Sequence, residues 1–165
     1  MSNILIENIM FDMIKYFNND VKRINHALKV YSFASNIGYL ENIPEDMLKT
    51  LKIAAILHDI GIKESERKYN SSAGKYQEIE GPQVAREILS KYNLDSEITD
   101  RICYLIGNHH TYGNIDAIDF QIIVEADFLV NIFEDEMRKP QIQLIKQKYF
   151  KTKTGISYIE SIYKI

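Results

Sequence analysis

Six residues of this chain have side chains that could bind a metal ion together, and they include all four of its histidines. They are His26, His58, Asp59, His109, His110 and Asp127. His58 and Asp59 are adjacent, at the end of an apolar run and shortly before Gly61. A His-Asp pair alone is a weak signal, but the other residues fall at helix positions from which one ion could collect them. The set therefore predicts a metal centre.

The helix that would carry His58 has clear sequence boundaries. Pro44 suits its first turn, and Gly61 is expected to end it. His58 continues the apolar face of this helix, so its imidazole is predicted to point inward. A core histidine held only by a hydrogen bond would show the same sequence pattern. An inward Asp59 without a cation is costly. The side chains of adjacent helical residues point ~100° apart. His58 and Asp59 can therefore bind the same ion only if it lies between their two directions.

The remaining candidates each have an ordinary alternative. His26 lies at the edge of a helix expected from Asp20 to Gly38, and an ordinary boundary histidine would show the same neighbours. His109 and His110 close another helix, where they form either a solvated tip or an open metal position.

Asp127 is the second chemical anomaly after Asp59. It shares a helix face with Ile123 and Val130, so its carboxylate is expected to be buried. The alternative to a metal ligand is a buried salt bridge, with Arg86 or Arg101 as the partner.

Apolar periodicity predicts an all-α protein with about seven or eight helices. We expect helices over residues 4–17, 21–38, 44–61, 81–93, 96–110, 116–133, 140–150 and 156–165. From Lys63 to Glu80 the pattern is polar, which predicts a loop that could act as a lid. The segment Ala73-Gly74-Lys75 does not match the phosphate-binding G-x-x-x-x-G-K-[ST] pattern. No linker is evident, so residues 1–165 are expected to form one domain.

Composition limits the partners and the compartment. The chain has 165 residues, of which 45% are hydrophobic and 26% charged, and a net charge of −3. This charge gives no case for binding nucleic acid or an anionic membrane. No apolar run approaches the ~18 residues of a membrane span, and the amino terminus lacks the basic region of a signal peptide. The single Cys103 fits a reducing cytoplasm. The oligomeric state is left open.

Taken in order, His26, His58-Asp59 and Asp127 resemble the motif of the HD superfamily of metal-dependent phosphohydrolases. The likeness covers roughly residues 20–135. It implies a helical bundle in which these four residues gather on one divalent cation. Asn108-His109-His110 resembles the extra histidine pair of members that hold two metals, in which the residue corresponding to Asp59 bridges both ions.

The chain departs from several branches of that family. Many two-metal members have a histidine four residues before the glycine that corresponds to Gly81, and this chain has Gln77 there. A neutral amide is a poorer ligand, so one ion is expected and a second would be weak. The Gly-Tyr-Pro signature of the cyclic-dinucleotide-cleaving branch is missing, since Tyr112-Gly113-Asn114 stands near its place. The Glu-Asp pair of the alarmone-hydrolysing branch is replaced by Lys63-Glu64-Ser65-Glu66.

The resemblance implies hydrolysis of a phosphomonoester or phosphoanhydride, most readily of a nucleotide, by metal-activated water. Two imidazoles and two carboxylates suit Mn²⁺, Fe, Co²⁺, Ni²⁺ or Zn²⁺. The expected catalytic residues are Asp59, which would orient the water or take its proton, together with His58, Lys63 and His109. The expected substrate contacts are Lys63, Gln77, Asn108 and His110. The alternatives are a metal-containing binding or regulatory module with little turnover, and a purely structural helical bundle.

Overall fold

A computed structural model describes residues 2–165, with side chains from Ile4 onward, and this part of the chain is helical without any β-strand. The all-α class is confirmed. The α-helices are α1 (Ser2–Phe17), α2 (Val21–Leu40), α3 (Glu45–Leu57), α4 (Ile62–Tyr69), α5 (Gly74–Leu89), α6 (Ser96–Asn108), α7 (Ile118–Glu134), α8 (Lys139–Tyr149) and α9 (Lys153–Tyr163). A 3-10 turn, Tyr112–Asn114, precedes α7.

The helices that carry the candidate ligands pack directly on one another. α2 lies against both α3 and α7, and α5 lies against α6. Their contact faces are apolar and fully buried, as at Val30 on α2, Leu51 on α3 and Phe120 on α7. Burying a large apolar side chain contributes about 1.5–3 kcal/mol, so these faces hold the three helices together. α1 packs across α3, and α8 and α9 cover α7.

The predicted polar loop from Lys63 to Glu80 is wrong. Most of it is helical, because α4 follows the His-Asp turn at once and α5 begins at Gly74. Only residues 70–73 connect the two helices. α4 buries no more than Ile62 and Ser65, so too few apolar residues mark its inner face for the sequence to predict a helix. Its exposed face carries a charged pair three residues apart, Glu64 with Arg67 at 2.8 Å.

Gly61 allows two chain segments to approach closely and does not simply end a helix. Its φ of −76° is that of a right-handed helix. A Cβ at this position would lie 2.5 Å from the carbonyl oxygen of Gln77 and 2.6 Å from the nitrogen of Gly81. The turn after His58 and Asp59 therefore lies directly against the backbone of α5, an approach that any side chain would prevent.

The expected end of the second helix at Gly38 is also wrong, because α2 continues to Leu40. Gly38 instead fits against α3, where an added Cβ would lie 2.8 Å from a methyl carbon of Leu48 and 2.9 Å from one of Leu51.

Candidate metal centre

Three helices bring two histidines and two aspartates to one point. His26 lies in the second turn of α2, His58 and Asp59 follow the last residue of α3, and Asp127 lies in the middle of α7. The Nε2 atom of His26 is 3.1 Å from Nε2 of His58, 3.1 Å from Oδ1 of Asp127 and 3.3 Å from Oδ2 of Asp59. The Nε2 atom of His58 is 3.4 Å from the same Asp59 oxygen and 3.5 Å from the Asp127 oxygen.

These separations fit a shared divalent cation. Metal bonds to histidine nitrogen and carboxylate oxygen are about 2.0–2.2 Å long, so neighbouring ligand atoms of one ion lie roughly 3.0–3.4 Å apart. The observed separations, from 3.1 to 3.5 Å, are close to this spacing. His58 and Asp59 both face the point because the chain turns after Leu57 instead of continuing the helix.

Hydrogen bonds on the far side of each ring aim the Nε2 atoms at the centre. Nδ1 of His58 lies 2.8 Å from the carbonyl oxygen of Ala55, and Nδ1 of His109 lies 2.8 Å from that of Ile106. A carbonyl can only accept, so in both rings Nδ1 carries the hydrogen. When these rings are neutral, Nε2 therefore has a free lone pair, which is the form that binds metals. Nδ1 of His26 lies 2.9 Å from the Oε2 atom of Glu134 instead.

A second group of potential ligands adjoins the first and shares Asp59. It consists of Asp59, His109 and His110, whose ligand atoms lie within 4.8 Å of one another. Nε2 of His109 is buried and has no aligned hydrogen-bond partner among the described residues, although Oδ1 of Asp59 is 3.3 Å away. Buried polar atoms are rarely left without a partner, so this nitrogen further indicates that His109 could bind a cation.

The side chain of Gln77 lies beside this second group, and its amide is already engaged. Its Nε2 donates to the carbonyl oxygen of Ser72 at 2.7 Å, and its Oε1 lies 3.2 Å from Nε2 of His110. Gln77 therefore holds His110 in place.

The ionisation of the cluster reflects its concentrated negative charge. Burial alone would raise the pKa of Asp59 and of Asp127, but the adjacent histidines hold the pKa of both carboxyls below the usual range. Burial opposes a charge on His26, yet the carboxylates of Asp127 and Asp59 outweigh it and raise the pKa of His26 to about 9. Burial, together with the neighbouring His109, lowers the pKa of His110 to about 4. The two ionised carboxylates thus favour a positive charge between them.

The alternative salt bridge for Asp127 is absent from the described residues. Arg86 pairs with Asp100 at 2.6 Å, and Arg101 pairs with Asp116 and Asp119. Asp127 instead accepts a hydrogen bond from Asn131 at 3.0 Å.

The cluster opens into a cavity of about 320 Å³. Four of the predicted ligands line it (His26, Asp59, His110 and Asp127). Lys22 and Arg23 stand on one side, and Glu134 and Asp135 on another. The sequence reasoning missed these four residues. Lys22 and Arg23 precede His26 by one helical turn, and Glu134 follows Asp127 by two, so the i, i+3, i, i+4 and i, i+7 spacings could have identified three of them.

Two predicted substrate contacts do not reach the cavity. Nζ of Lys63 donates to the carbonyl oxygen of Tyr16 at 3.0 Å and lies 5.0 Å from the centre of the Tyr16 ring. The side of α4 that carries Lys63 therefore faces α1. Asn108 donates to the carbonyl oxygen of Tyr104 at 2.8 Å, and its own oxygen accepts from Asn114. The prediction for these two side chains is therefore corrected. Gln77 and His110, by contrast, do line the cavity.

Comparison with known proteins gives one family and one described structural neighbour. The model of the HD domain family matches residues 23–148. A crystal structure of a predicted HD superfamily hydrolase from an uncultured Thermotogales bacterium superposes with a TM-score of 0.69. The alignment has 23% sequence identity and covers 96% of this chain and 84% of that chain. At this identity the likeness is one of fold. The search of curated proteins finds no match.

Proposed function

Because the chain belongs to the HD domain family, we propose that it is a metal-dependent phosphohydrolase built as one domain over residues 1–165. The observation that carries the proposal is the convergence of His26, His58, Asp59 and Asp127 beside an open cavity. The two histidine nitrogens are 3.1 Å apart, and each lies 3.1–3.5 Å from one oxygen of each aspartate. The set suits Mn²⁺, Fe, Co²⁺, Ni²⁺ or Zn²⁺, with one ion as the principal occupant.

A divalent cation bound by these residues would lower the pKa of water and would offset the charge that develops on phosphoryl oxygens. The protein supplies positioning and proton transfer. Asp59 has one oxygen towards His26 and His58 and the other 3.3 Å from His109. We assign to Asp59 the orientation of the attacking water and the acceptance of its proton, because its carboxylate lines the cavity and its two oxygens face different histidines.

Lys22 and Arg23 replace Lys63 as the proposed phosphate contacts. Both line the cavity on the same helix as His26. Arg23 is paired with Asp20 and Glu66, so Lys22 is the cation with more charge to offer. We assign Gln77 and His110 to contacts with the rest of the substrate, since both line the cavity and hydrogen-bond to each other.

The charge of the cavity favours a substrate with one phosphate. Four carboxylates line it (Asp59, Asp127, Glu134 and Asp135). Lys22, a partly engaged Arg23 and one divalent cation leave little positive charge for the extra phosphates of a triphosphate. The volume, about 320 Å³, is at the small end of the 300–1,000 Å³ range of ligand sites. We therefore propose a phosphomonoester, with a nucleoside monophosphate as the first candidate.

The test is phosphate release from a panel of nucleoside mono-, di- and triphosphates in the presence of Mn²⁺. Metal analysis of the protein purified without added metal accompanies it. We expect release from monophosphates that is lost in Asp59→Ala and retained in Asp100→Asn, an aspartate substitution at an exposed ion pair far from the centre. Release no greater than that of Asp59→Ala, for every compound in the panel, would reject hydrolysis.

One observation supports a second candidate, a metal-containing nucleotide-binding or regulatory module with little turnover. Gln77 stands where two-metal relatives use a histidine, and its amide is committed to Ser72 and His110. Such a module would bind a nucleotide, as measured by calorimetry, without releasing phosphate.

A further inference from the structure

The three buried histidines of the centre are not held in the same way. His58 and His109 each direct Nδ1 at a backbone carbonyl of the preceding turn, those of Ala55 and Ile106. Such an acceptor is fixed by the helix and cannot be changed by substitution. His26 alone directs Nδ1 at a side chain, the carboxylate of Glu134, at 2.9 Å.

Glu134 is placed to hold His26 from another helix. It is the last residue of α7, 108 residues from His26 in sequence, and only 15% of its side chain is exposed. Its other oxygen lies 3.5 Å from Nζ of Lys29, one turn beyond His26 on α2. The carboxylate therefore lies between a ring nitrogen and a cation, and it lines the cavity on the Nδ1 side of His26.

The direction of this hydrogen bond decides which nitrogen of His26 can bind a metal. A carboxylate accepts a hydrogen from Nδ1, which leaves the lone pair of the neutral ring on Nε2. Nε2 faces Asp127 at 3.1 Å and Asp59 at 3.3 Å. Without Glu134, the neutral ring would instead place its hydrogen on Nε2 and donate it to one of these carboxylates. That form has no lone pair to offer to the centre.

We propose that Glu134 is the positioning residue of the metal centre, which orients His26 and sets its tautomer for metal binding. The inference rests on the proposed metal centre and adds a residue to it that makes no contact with the metal. Losing a hydrogen-bond partner of a metal-binding histidine typically costs 10–100-fold in metal affinity. Because the acceptor for His26 is a side chain, a single substitution can remove it. The backbone acceptors of His58 and His109 cannot be removed in this way.

The experiment measures Mn²⁺ affinity by calorimetry and the visible absorption of bound Co²⁺ for the wild type and three variants. Glu134→Ala removes the acceptor, and Glu134→Gln keeps an oxygen that can accept from Nδ1. The matched control is Glu136→Gln, the same substitution at an exposed residue two positions further on. Melting of the metal-free proteins reports folding separately from binding.

We expect roughly 10–100-fold weaker binding in Glu134→Ala, an intermediate loss in Glu134→Gln and wild-type affinity in Glu136→Gln. The Co²⁺ spectrum should change in the two Glu134 variants, while the metal-free melting temperature of Glu134→Gln stays at the wild-type value. Equal Mn²⁺ affinity in the wild type and Glu134→Ala would overturn the role of Glu134 while leaving the metal centre intact. Wild-type protein that binds no metal would overturn both, and metal binding without phosphate release would overturn only the hydrolase function.

Discussion

The Oδ1 atom of Asp127 lies 3.1 Å from Nε2 of His26, although 101 residues separate them in the chain. α2 and α7 pack side by side, and both side chains are buried at that interface. An isolated buried carboxylate is costly, and no arginine pairs with Asp127 in the described part of the chain. The pairing of these two helices therefore holds a buried carboxylate against a buried imidazole.

Removing Asp127 should abolish tight metal binding. Asp127→Asn keeps the size of the side chain but removes the negative charge that faces His26 and His58. We expect Mn²⁺ affinity to fall by more than roughly 100-fold, beyond the cost of losing a hydrogen-bond partner of a ligand. Equilibrium dialysis with metal analysis measures this. Asp100→Asn serves as the control, and affinity within threefold of the wild type in Asp127→Asn would contradict the assignment.

Substitution of Lys22 should weaken substrate binding, whereas substitution of Lys63 should not. Lys22→Ala should raise KM roughly fivefold with little change in kcat, because an exposed charge contact of ~1 kcal/mol binds substrate and transition state alike. Lys63→Ala should leave both parameters unchanged, since Nζ is bonded to the carbonyl oxygen of Tyr16. Steady-state kinetics on the best monophosphate would check both. A larger KM effect in Lys63→Ala than in Lys22→Ala would restore the sequence-based prediction.

Gly61→Ala should destabilise the fold. The added Cβ would meet backbone atoms of Gln77 and Gly81 at 2.5–2.6 Å, which cannot rotate away as a flexible side chain can. We expect a loss of about 1–3 kcal/mol, the usual cost of overpacking, measured by urea unfolding. Gly113→Ala is the matched control, because no atom lies within 4 Å of its added Cβ and its φ is not positive. Equal stability of Gly61→Ala and Gly113→Ala would contradict this prediction, because it would show that α5 can move to accommodate the extra methyl group.

Asp12 should make stability depend on pH in the acid range. Its carboxylate on α1 accepts from Lys15 at 2.8 Å, from Tyr92 at 2.7 Å and from Lys91 at 3.2 Å. The bond from Lys15 contributes most to lowering the pKa of Asp12 to about 2, against the ordinary 3.8. Since the folded state favours the ionised form, this stabilisation is complete above about pH 4 and is lost as the pH falls towards 2.

The measurement for Asp12 is the melting temperature of the wild type and Asp12→Asn between pH 2 and 7. The wild type should melt higher by a constant margin from about pH 5 to 7, and the margin should shrink as the pH approaches 2. A difference in melting temperature that persists unchanged down to pH 2 would show that the ionised carboxylate of Asp12 is not the source of the stabilisation.

A membrane-spanning helix needs a minimum length and hydrophobicity. None of the helices within residues 2–165 is both long enough and apolar enough to cross a bilayer.

The helices that carry the ligands could be identified from the sequence because their apolar faces are long and regular. α4 could not, since a helix of eight residues with two buried side chains has too few apolar residues to mark its inner face. The roles of glycines were also misjudged. Gly38 and Gly61 were expected to end helices, whereas both allow close contact with a neighbouring segment, a property that depends on a distant part of the chain.

The sequence by itself determined which residues have the chemistry for a metal centre and on which helix faces they lie, because the type and spacing of residues fix the face of a helix. Only the tertiary structure decided which faces meet. It directed Lys63 to Tyr16 and away from the cavity, brought Lys22 to its rim, and placed Glu134 behind His26. Such contacts join residues far apart in the chain, and they follow from how whole helices pack, which no local pattern records.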